Sequence, residues 1–286
     1  MKKLFILLFI AATFSVAGYS QTYHYDVNGD GVVTAADVTA LYDSMLGNVP
    51  GGDQFDVNGD GLVTAADVTA LYDYLLGNVP SGDEHEYVDL GLPSGTLWAT
   101  MNVGANSPEE YGDYFAWGET TPKDVYDWST YKWCMGSNTT MTKYCTKSNY
   151  GYNGFTDGKT ELDPEDDAAY VNWGPEWRMP SLEQIQELLD NCTTQWTTRN
   201  GVNGRLFTSN INGASLFLPA AGYQRDGDLY YGGTDGDYWS RTLFFSSPVR
   251  AYYLYFYSGF YSDTVGWYHY YRCNGSSVRA VRVAQN

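Results

Sequence analysis

The chain has 286 residues and carries 34 Asp and Glu against 16 Lys and Arg, a formal charge of −18. No basic cluster offsets that excess, which excludes nucleic acid as a partner, because phosphate backbones are held by grouped Lys and Arg. A hydrophobic content of 43% excludes wholesale disorder, and the length suits one large domain or a small one followed by a medium one.

Residues 1–20 read as a secretory signal. Lys2 and Lys3 make a basic start, and residues 4–17 form an apolar run too short to span a bilayer comfortably. Gly18 and Ser20 then set small residues ahead of a cleavage point before Gln21. No Cys stands directly after the apolar run, so a lipoprotein anchor is not indicated, and no second membrane segment occurs. The expectation is a secreted protein, extracellular or at the cell surface, with no transmembrane anchor after signal cleavage. Export permits disulfides. Cys134, Cys145, Cys192 and Cys273 allow three pairings. Cys134 with Cys145 would close a short loop and leave Cys192 for Cys273, while free buried thiols fit a domain of this size equally well.

The stretch DVNGDGVVTAADVTALYD starts at Asp26 and DVNGDGLVTAADVTALYD at Asp56; they differ only at Val32 and Leu62. In the first copy Asp26, Asn28 and Asp30 alternate as oxygen ligands, Gly31 supplies the sharp turn and Val32 offers its backbone carbonyl. Thr34 sits where contact often runs through water, and Asp37 closes the loop from the first helical turn. This is the EF-hand loop pattern with Asp at the place of the usual bidentate Glu. The second copy supplies Asp56, Asn58, Asp60, Leu62, Thr64 and Asp67 at the same positions. Calcium is a hard cation that takes six to eight oxygens, which is what such alternation offers. Residues 22–83 contain ten Asp and no Lys or Arg, so the carboxylates repel one another until a divalent ion neutralises them. Two Ca2+ sites are therefore expected.

One helix is predicted after each loop. Val38, Leu41, Tyr42, Met45 and Leu46 recur at helical spacing before Gly47, and Val68, Leu71, Tyr72, Leu75 and Leu76 do so before Gly77. The residues before each loop are too few and too turn-rich for the preceding helix of a full EF-hand. Two half-EF-hands in tandem resemble a type I dockerin over residues 24–80. The resemblance implies a small all-α, calcium-dependent module that docks onto a cohesin-like partner protein, often in assemblies that degrade polysaccharide. In dockerins the partner-contacting residues lie at the start of each helix and include hydroxyl side chains. The matching positions here are Ala35, Ala36, Ala65 and Ala66, a departure in side-chain chemistry, while identical faces on both repeats permit two docking orientations.

Residues 81–86 form a polar linker, so the module spans 22–80 and a second domain 87–286. From Tyr87 the chain turns rich in Tyr, Trp and Gly in short segments, which predicts a β-rich α+β domain with long loops. A helix is expected over SLEQIQELLD, with Ser181 as N-cap, Gln184 completing a capping box, and Leu182, Ile185, Leu188 and Leu189 on one face. Strands are expected at 216–218, 251–257 and 277–283. In the middle one Tyr253, Tyr255 and Tyr257 share one face, and Tyr252, Leu254 and Phe256 the other.

The stretches VDLGLPSGTLWATMNVGA, YGDYFAWGET, YGYNGFTDGKTELDPEDDAA, WGPEWRMPSLEQIQELL, LFLPAAGY and SVRAVR look like the Fibrobacter succinogenes major paralogous domain across residues 87–283. That resemblance implies kinship with C-type-lectin-like and formylglycine-generating folds, and it supplies no catalytic residues.

The candidate chemistry of this domain is sparse. ELDPEDD places Asp163, Glu165, Asp166 and Asp167 together, either as a further cation site or, the favoured reading, as a solvated turn or helix start around Pro164. Glu119, Glu176 and Glu183 are candidate glycosidase carboxylates with nothing to set their separation. Oxidative formylglycine chemistry needs two reactive cysteines near the C-terminus, where Cys273 stands alone; His24, His85 and His269 are too scattered for a triad or a zinc cluster. Aromatic residues are the remaining signal. From Tyr223 to Tyr271 there are twelve Tyr, with Trp239 and Trp267, suited either to a glycan- or protein-binding face or to a Gly-rich β core. Tyr230, Tyr231, Tyr261 and Trp267, in turn-rich stretches, are the candidate contacts. The reading is a secreted, non-catalytic binding protein for a glycan or surface-protein ligand, linked to polysaccharide utilisation. Its rival is a dockerin-tethered glycoside hydrolase.

Overall fold

The computed structural model describes residues 25–29, 33–49, 52–57, 62–76, 85–259 and 262–283. The expected signal, Gly77 and most of the 81–86 linker lie outside these. The chain divides into two compact units, Met1–Gly82 and Asp83–Asn286. Among the described residues no helix is long and apolar enough to cross a membrane.

The first unit contains helices α1 (Ala35–Met45) and α2 (Ala65–Leu76), with a short 3-10 turn at Asp53–Phe55 between them. Each helix starts by the same local device. The Thr34 hydroxyl accepts from Ala36 N at 3.1 Å, and Asp37 reaches back to accept from Thr34 N at 2.8 Å. This is a capping box built with Asp. Thr64 and Asp67 repeat it, with Ala66 N to Thr64 Oγ1 at 3.1 Å and Thr64 N to Asp67 Oδ2 at 2.6 Å. Helix α1 ends at Leu46, where Gly47 takes φ +74°, the left-handed conformation that glycine adopts at no steric cost.

Val38 and Leu41 of α1 pack with Val68 and Leu71 of α2, and Val27, Phe55 and Val57 from the loops complete the core. The buried stripe is narrower than the periodicity predicts. Tyr42 is 46% exposed, Met45 39% and Leu46 73%, and Tyr72 is exposed as well. A short helix that packs against one partner of equal size has a single contact line, and these residues sit at its rim.

The second unit is built on three sheets. Strands β1 (Tyr87–Asp89) and β2 (Thr96–Ala99) open it, β3 (Tyr114–Ala116) follows, and long loops lead to α3 (Ala168–Trp173) and α4 (Leu182–Asn191). A meander comes next, of β4 (Cys192–Arg199), β5 (Val202–Ser209) and β6 (Ser215–Pro219), then β7 (Tyr223–Arg225), β8 (Asp228–Tyr230), β9 (Asp235–Leu243), β10 (Arg250–Gly259), β11 (Ser262–Tyr271), β12 (Gly275–Ser277) and β13 (Val281–Val283). The largest sheet runs β11-β10-β9-β12-β7-β8, with β3 also paired to β12; β1-β2-β13 and β4-β5-β6 form the others. Two hairpins close on two-residue turns with positive φ at both positions, Asn200-Gly201 (48° and 83°) and Asp226-Gly227 (53° and 91°), the type I′ geometry that matches strand twist.

Helix α4 forms as its capping box predicts, with Ser181 N to Gln184 Oε1 at 2.9 Å and Gln184 N to Ser181 Oγ at 3.2 Å. Ile185 and Leu188 are buried, while Leu182 and Leu189 are half-buried. Strands β6 and β10 contain the expected 216–218 and 251–257. The expected strand 277–283 is instead two strands, β12 and β13, in different sheets. Arg279 between them is fully buried and donates to Asn102 Oδ1 at 2.8 Å and Ala99 O at 3.0 Å; turning that guanidinium into the core breaks the strand and passes the chain from one sheet to the next. Of the arrangements open to the cysteines, the free thiols are found: all four are buried and unpaired. Cys134 Sγ contacts Trp128 O at 3.1 Å and Cys145 Sγ contacts Lys147 O at 3.2 Å, while Cys192 belongs to a different apolar cluster from Cys273.

Candidate functional site

Among the described residues, Asn28 and Thr34 meet Asp37 at the start of α1, and Thr64 meets Asp67 at the start of α2. Asp37 is fully buried; its Oδ1 accepts from Asn28 N at 3.2 Å and its Oδ2 from Thr34 N at 2.8 Å, so one carboxylate ties the start of the loop to the start of α1. Asp26 Oδ1 accepts from Gly29 N at 2.8 Å, folding the loop back on itself. Asp67 is equally buried in the second copy, and Leu62 turns its side chain to solvent. Asp30, Val32, Asn58 and Asp60 lie outside the described residues; Asp26, Asn28, Thr34, Asp37, Asp56, Leu62, Thr64 and Asp67 are within them. The donor set is all oxygen, with a buried acid at each helix start, and it fits a hard divalent cation.

Ala35, Ala36, Ala65 and Ala66 are exposed on the first turns of α1 and α2. Thr39 and Tyr42 continue the α1 patch and Thr69 and Tyr72 the α2 patch, all exposed. These hydroxyl-bearing neighbours are legible in the sequence, since their i+4 and i+7 spacing from Ala35 and Ala65 places them on the same helix face.

In the second unit the register assembles a cavity of about 520 Å3 on one face of β9, β10 and β11. Tyr253 pairs with Tyr268 and Trp239, Tyr255 with Gly266 and Asp237, and Tyr257 with Thr264 and Asp235. Side chains on one strand face alternate, so the tyrosines foreseen on one side of β10 stand over two carboxylates from β9. Between those carboxylates, a Cβ on Gly236 would run into the Phe256 ring on the opposite face. Tyr253 lies edge-on to Tyr255 at 5.9 Å, and Tyr223 to Tyr270 at 5.3 Å. Asp235 is buried, with Oδ2 accepting from the Tyr255 hydroxyl at 3.3 Å, and Asp237 is 4% exposed. Asp235 Oδ1 and Asp237 Oδ2 are buried with no hydrogen-bond partner. Burial, with the Asp235 charge added, pushes the Asp237 carboxyl up to about 8, and burial raises Asp235 as well.

The four candidate aromatics separate. Tyr231 is exposed at the cavity with φ +57°. Tyr230 stacks on Tyr223 at 5.5 Å, with the Arg225 guanidinium 4.4 Å from its ring. Tyr261 lies outside the described residues. Trp267 borders the cavity, but its indole points to the opposite face, where it donates to Gln186 Oε1 on α4 at 2.7 Å and meets Tyr252 edge-on.

The ELDPEDD segment is a helix start, as the favoured reading has it; Glu161, Pro164 and Glu165 are exposed, while Asp166 and Asp167 are buried. The Lys143 ammonium sits 2.7 Å from Asp163 and 2.6 Å from Asp166. Tyr144 donates to Asp166 at 2.6 Å, and buried Asp167 caps α3 and pairs with Arg178 at 2.8 Å. Lysine holds the place a cation would take. Glu119 pairs with Lys123 at 2.8 Å and Glu176 with Arg282 at 3.1 Å, while Glu183 is exposed on α4; none lines the tyrosine cavity. His85 stacks on Trp173 and His269 on Phe244, and His24 lies outside the described residues.

The first unit is thus a tandem loop–helix module with an acidic, oxygen-donor loop before each helix. Residues 24–76 match the model of the dockerin type I domain, a family whose members bind calcium and dock to cohesins in extracellular assemblies. No curated protein and no solved structure matches the chain.

Proposed function

We propose that the protein is a secreted, non-catalytic binding protein. In this reading the dockerin-type module attaches it to a cohesin-bearing partner outside the cell, and the second domain presents a glycan- or protein-binding surface in the service of polysaccharide utilisation. Calcium would be held in two sites, by Asp26, Asn28, Asp30, the Val32 carbonyl, Thr34 and Asp37, and by Asp56, Asn58, Asp60, the Leu62 carbonyl, Thr64 and Asp67. The ion neutralises carboxylates that would otherwise repel across each loop, and backbone N–H groups that donate hydrogen bonds to Asp37 and Asp67 orient those two.

The observation that carries the reading is the dockerin match over 24–76 together with a buried closing aspartate in both copies. Partner contact is assigned to Ala35, Ala36, Thr39 and Tyr42 and to their copies Ala65, Ala66, Thr69 and Tyr72. The test is capture of the full mature chain by an immobilised cohesin with calcium present and its release by chelator. Calcium-independent capture, or none by any cohesin class offered, would overturn the docking reading. Release of reducing sugar from plant or host glycans, abolished by substituting Glu119 or Glu176, would favour the glycoside hydrolase instead.

A further inference from the structure

We propose that the tyrosine-walled cavity on β9, β10 and β11 binds an amino sugar, with its ammonium group on Asp237 and Asp235 and its ring against the tyrosine faces. The inference rests on the reading of the second domain as a ligand-binding domain and names the class of ligand.

Three observations point to it. The cavity, about 520 Å3, lies in the range of small-molecule sites. Its floor holds two buried carboxylates that each keep one oxygen without a hydrogen-bond partner. Buried acceptors in native folds are normally satisfied, so two under-satisfied carboxylates among the lining residues of one cavity point to donors that arrive from outside. Finally, among the described residues no Lys, Arg or His lines the cavity, so the acidic pair has no internal counter-charge there.

The chemistry of the walls narrows the ligand. An anion would meet two carboxylates and the negative faces of Tyr253, Tyr255, Tyr268 and Tyr270. A neutral sugar could donate hydroxyls but would do nothing to stabilise ionisation of Asp237 beside Asp235. An ammonium group supplies several N–H donors and a positive charge, and tyrosine faces attract cations as well. Broad aromatic walls also suit the C–H faces of a pyranose better than a thin alkyl chain. Gly266 keeps the space open: it stands opposite Tyr255, and a Cβ placed on it meets nothing within 4 Å.

The test is calorimetric titration of the full mature chain, in calcium, with glucosamine, glucose, N-acetylglucosamine and an Nα-acetyl-lysine amide. The expected result is binding of glucosamine roughly tenfold or more tighter than glucose or N-acetylglucosamine, a difference of about 1.4 kcal/mol. Asp237→Asn should lose that preference. Gly266→Phe, which fills the cavity from an unstrained position, should abolish binding while leaving the thermal transition in place. Equal binding of glucose and glucosamine would overturn the inference and leave the ligand-domain reading standing. Binding of the lysine amide without glucosamine would overturn the sugar. Binding that survives Gly266→Phe places the ligand elsewhere and overturns the site, and no binding by any probe overturns the inference together with a saccharide reading of this cavity.

Discussion

Asp37 in the first unit and Asp237 in the second are both buried acids, and the chain surrounds them in opposite ways. Asp37 sits at a helix N-terminus with backbone amides donating to both of its oxygens. Asp237 sits mid-strand beside another carboxylate, with Oδ2 unpartnered and its proton affinity raised. Two backbone amides tie the Asp37 carboxylate into its loop, whereas burial and a like charge raise the proton affinity of Asp237. The first arrangement organises a loop, and the second leaves acceptor oxygens unpartnered beside a cavity.

The comparison breaks most visibly under calcium removal. If each loop holds an ion present at about a hundred times its dissociation constant, chelation should lower the stability of the first unit by about 5 kcal/mol across two sites. Circular dichroism melts with and without chelator would show an early helical transition moving while the β-rich transition stays.

The next effect tests the acid on the other side. Because the Asp237 carboxyl rises from 3.8 to about 8 in the folded chain, its ionisation costs stability that is intact below about pH 4, falls as pH rises and is fully lost above about pH 8. At about 1.4 kcal/mol per unit the ceiling is about 6 kcal/mol, and water admitted by the cavity should leave roughly half. Asp237→Asn should therefore be more stable than the parent at pH 9, by about 3 kcal/mol relative to the difference at pH 4, in urea unfolding at both values.

Within the first unit, Leu41→Ala should cost about 3 kcal/mol, while Met45→Ala, at the exposed rim, should stay within about 0.5 kcal/mol; thermal melts of the two variants measure how narrow the buried stripe is. Thr34→Ala should cost about 1 kcal/mol by removing one cap. Comparison with Thr64→Ala would show whether the repeats are energetically as well as chemically alike.

Much of the first unit was legible in its sequence, because loop, cap and helix lie within one short stretch and each repeat states them again. Where the reading went too far, at Tyr42, Met45 and Leu46, periodicity gave a face but could not say how wide a partner would cover it. The capping box of α4 was legible for the same local reason. Asn200-Gly201 and Asp226-Gly227 were unused signals, and both close hairpins. The cavity was half visible: alternation put Tyr253, Tyr255 and Tyr257 on one face, and only pairing with β9 set Asp237 across from Tyr255. Trp267 shows the converse, since it borders the cavity while its indole packs on the other side of the sheet.

Local chain chemistry by itself determined the acidic loops, their helices, the capping boxes and the alternation of the tyrosines, because hydrogen bonds and side-chain periods over a few residues need no distant partner. Tertiary structure alone decided that Arg279 would split a strand, that lysine would fill the ELDPEDD cluster, and that two carboxylates would each keep an unpartnered oxygen among the tyrosines. Each of those depends on strands and loops far apart in the chain meeting in one register, and a one-residue slip would turn Asp237 out of the cavity.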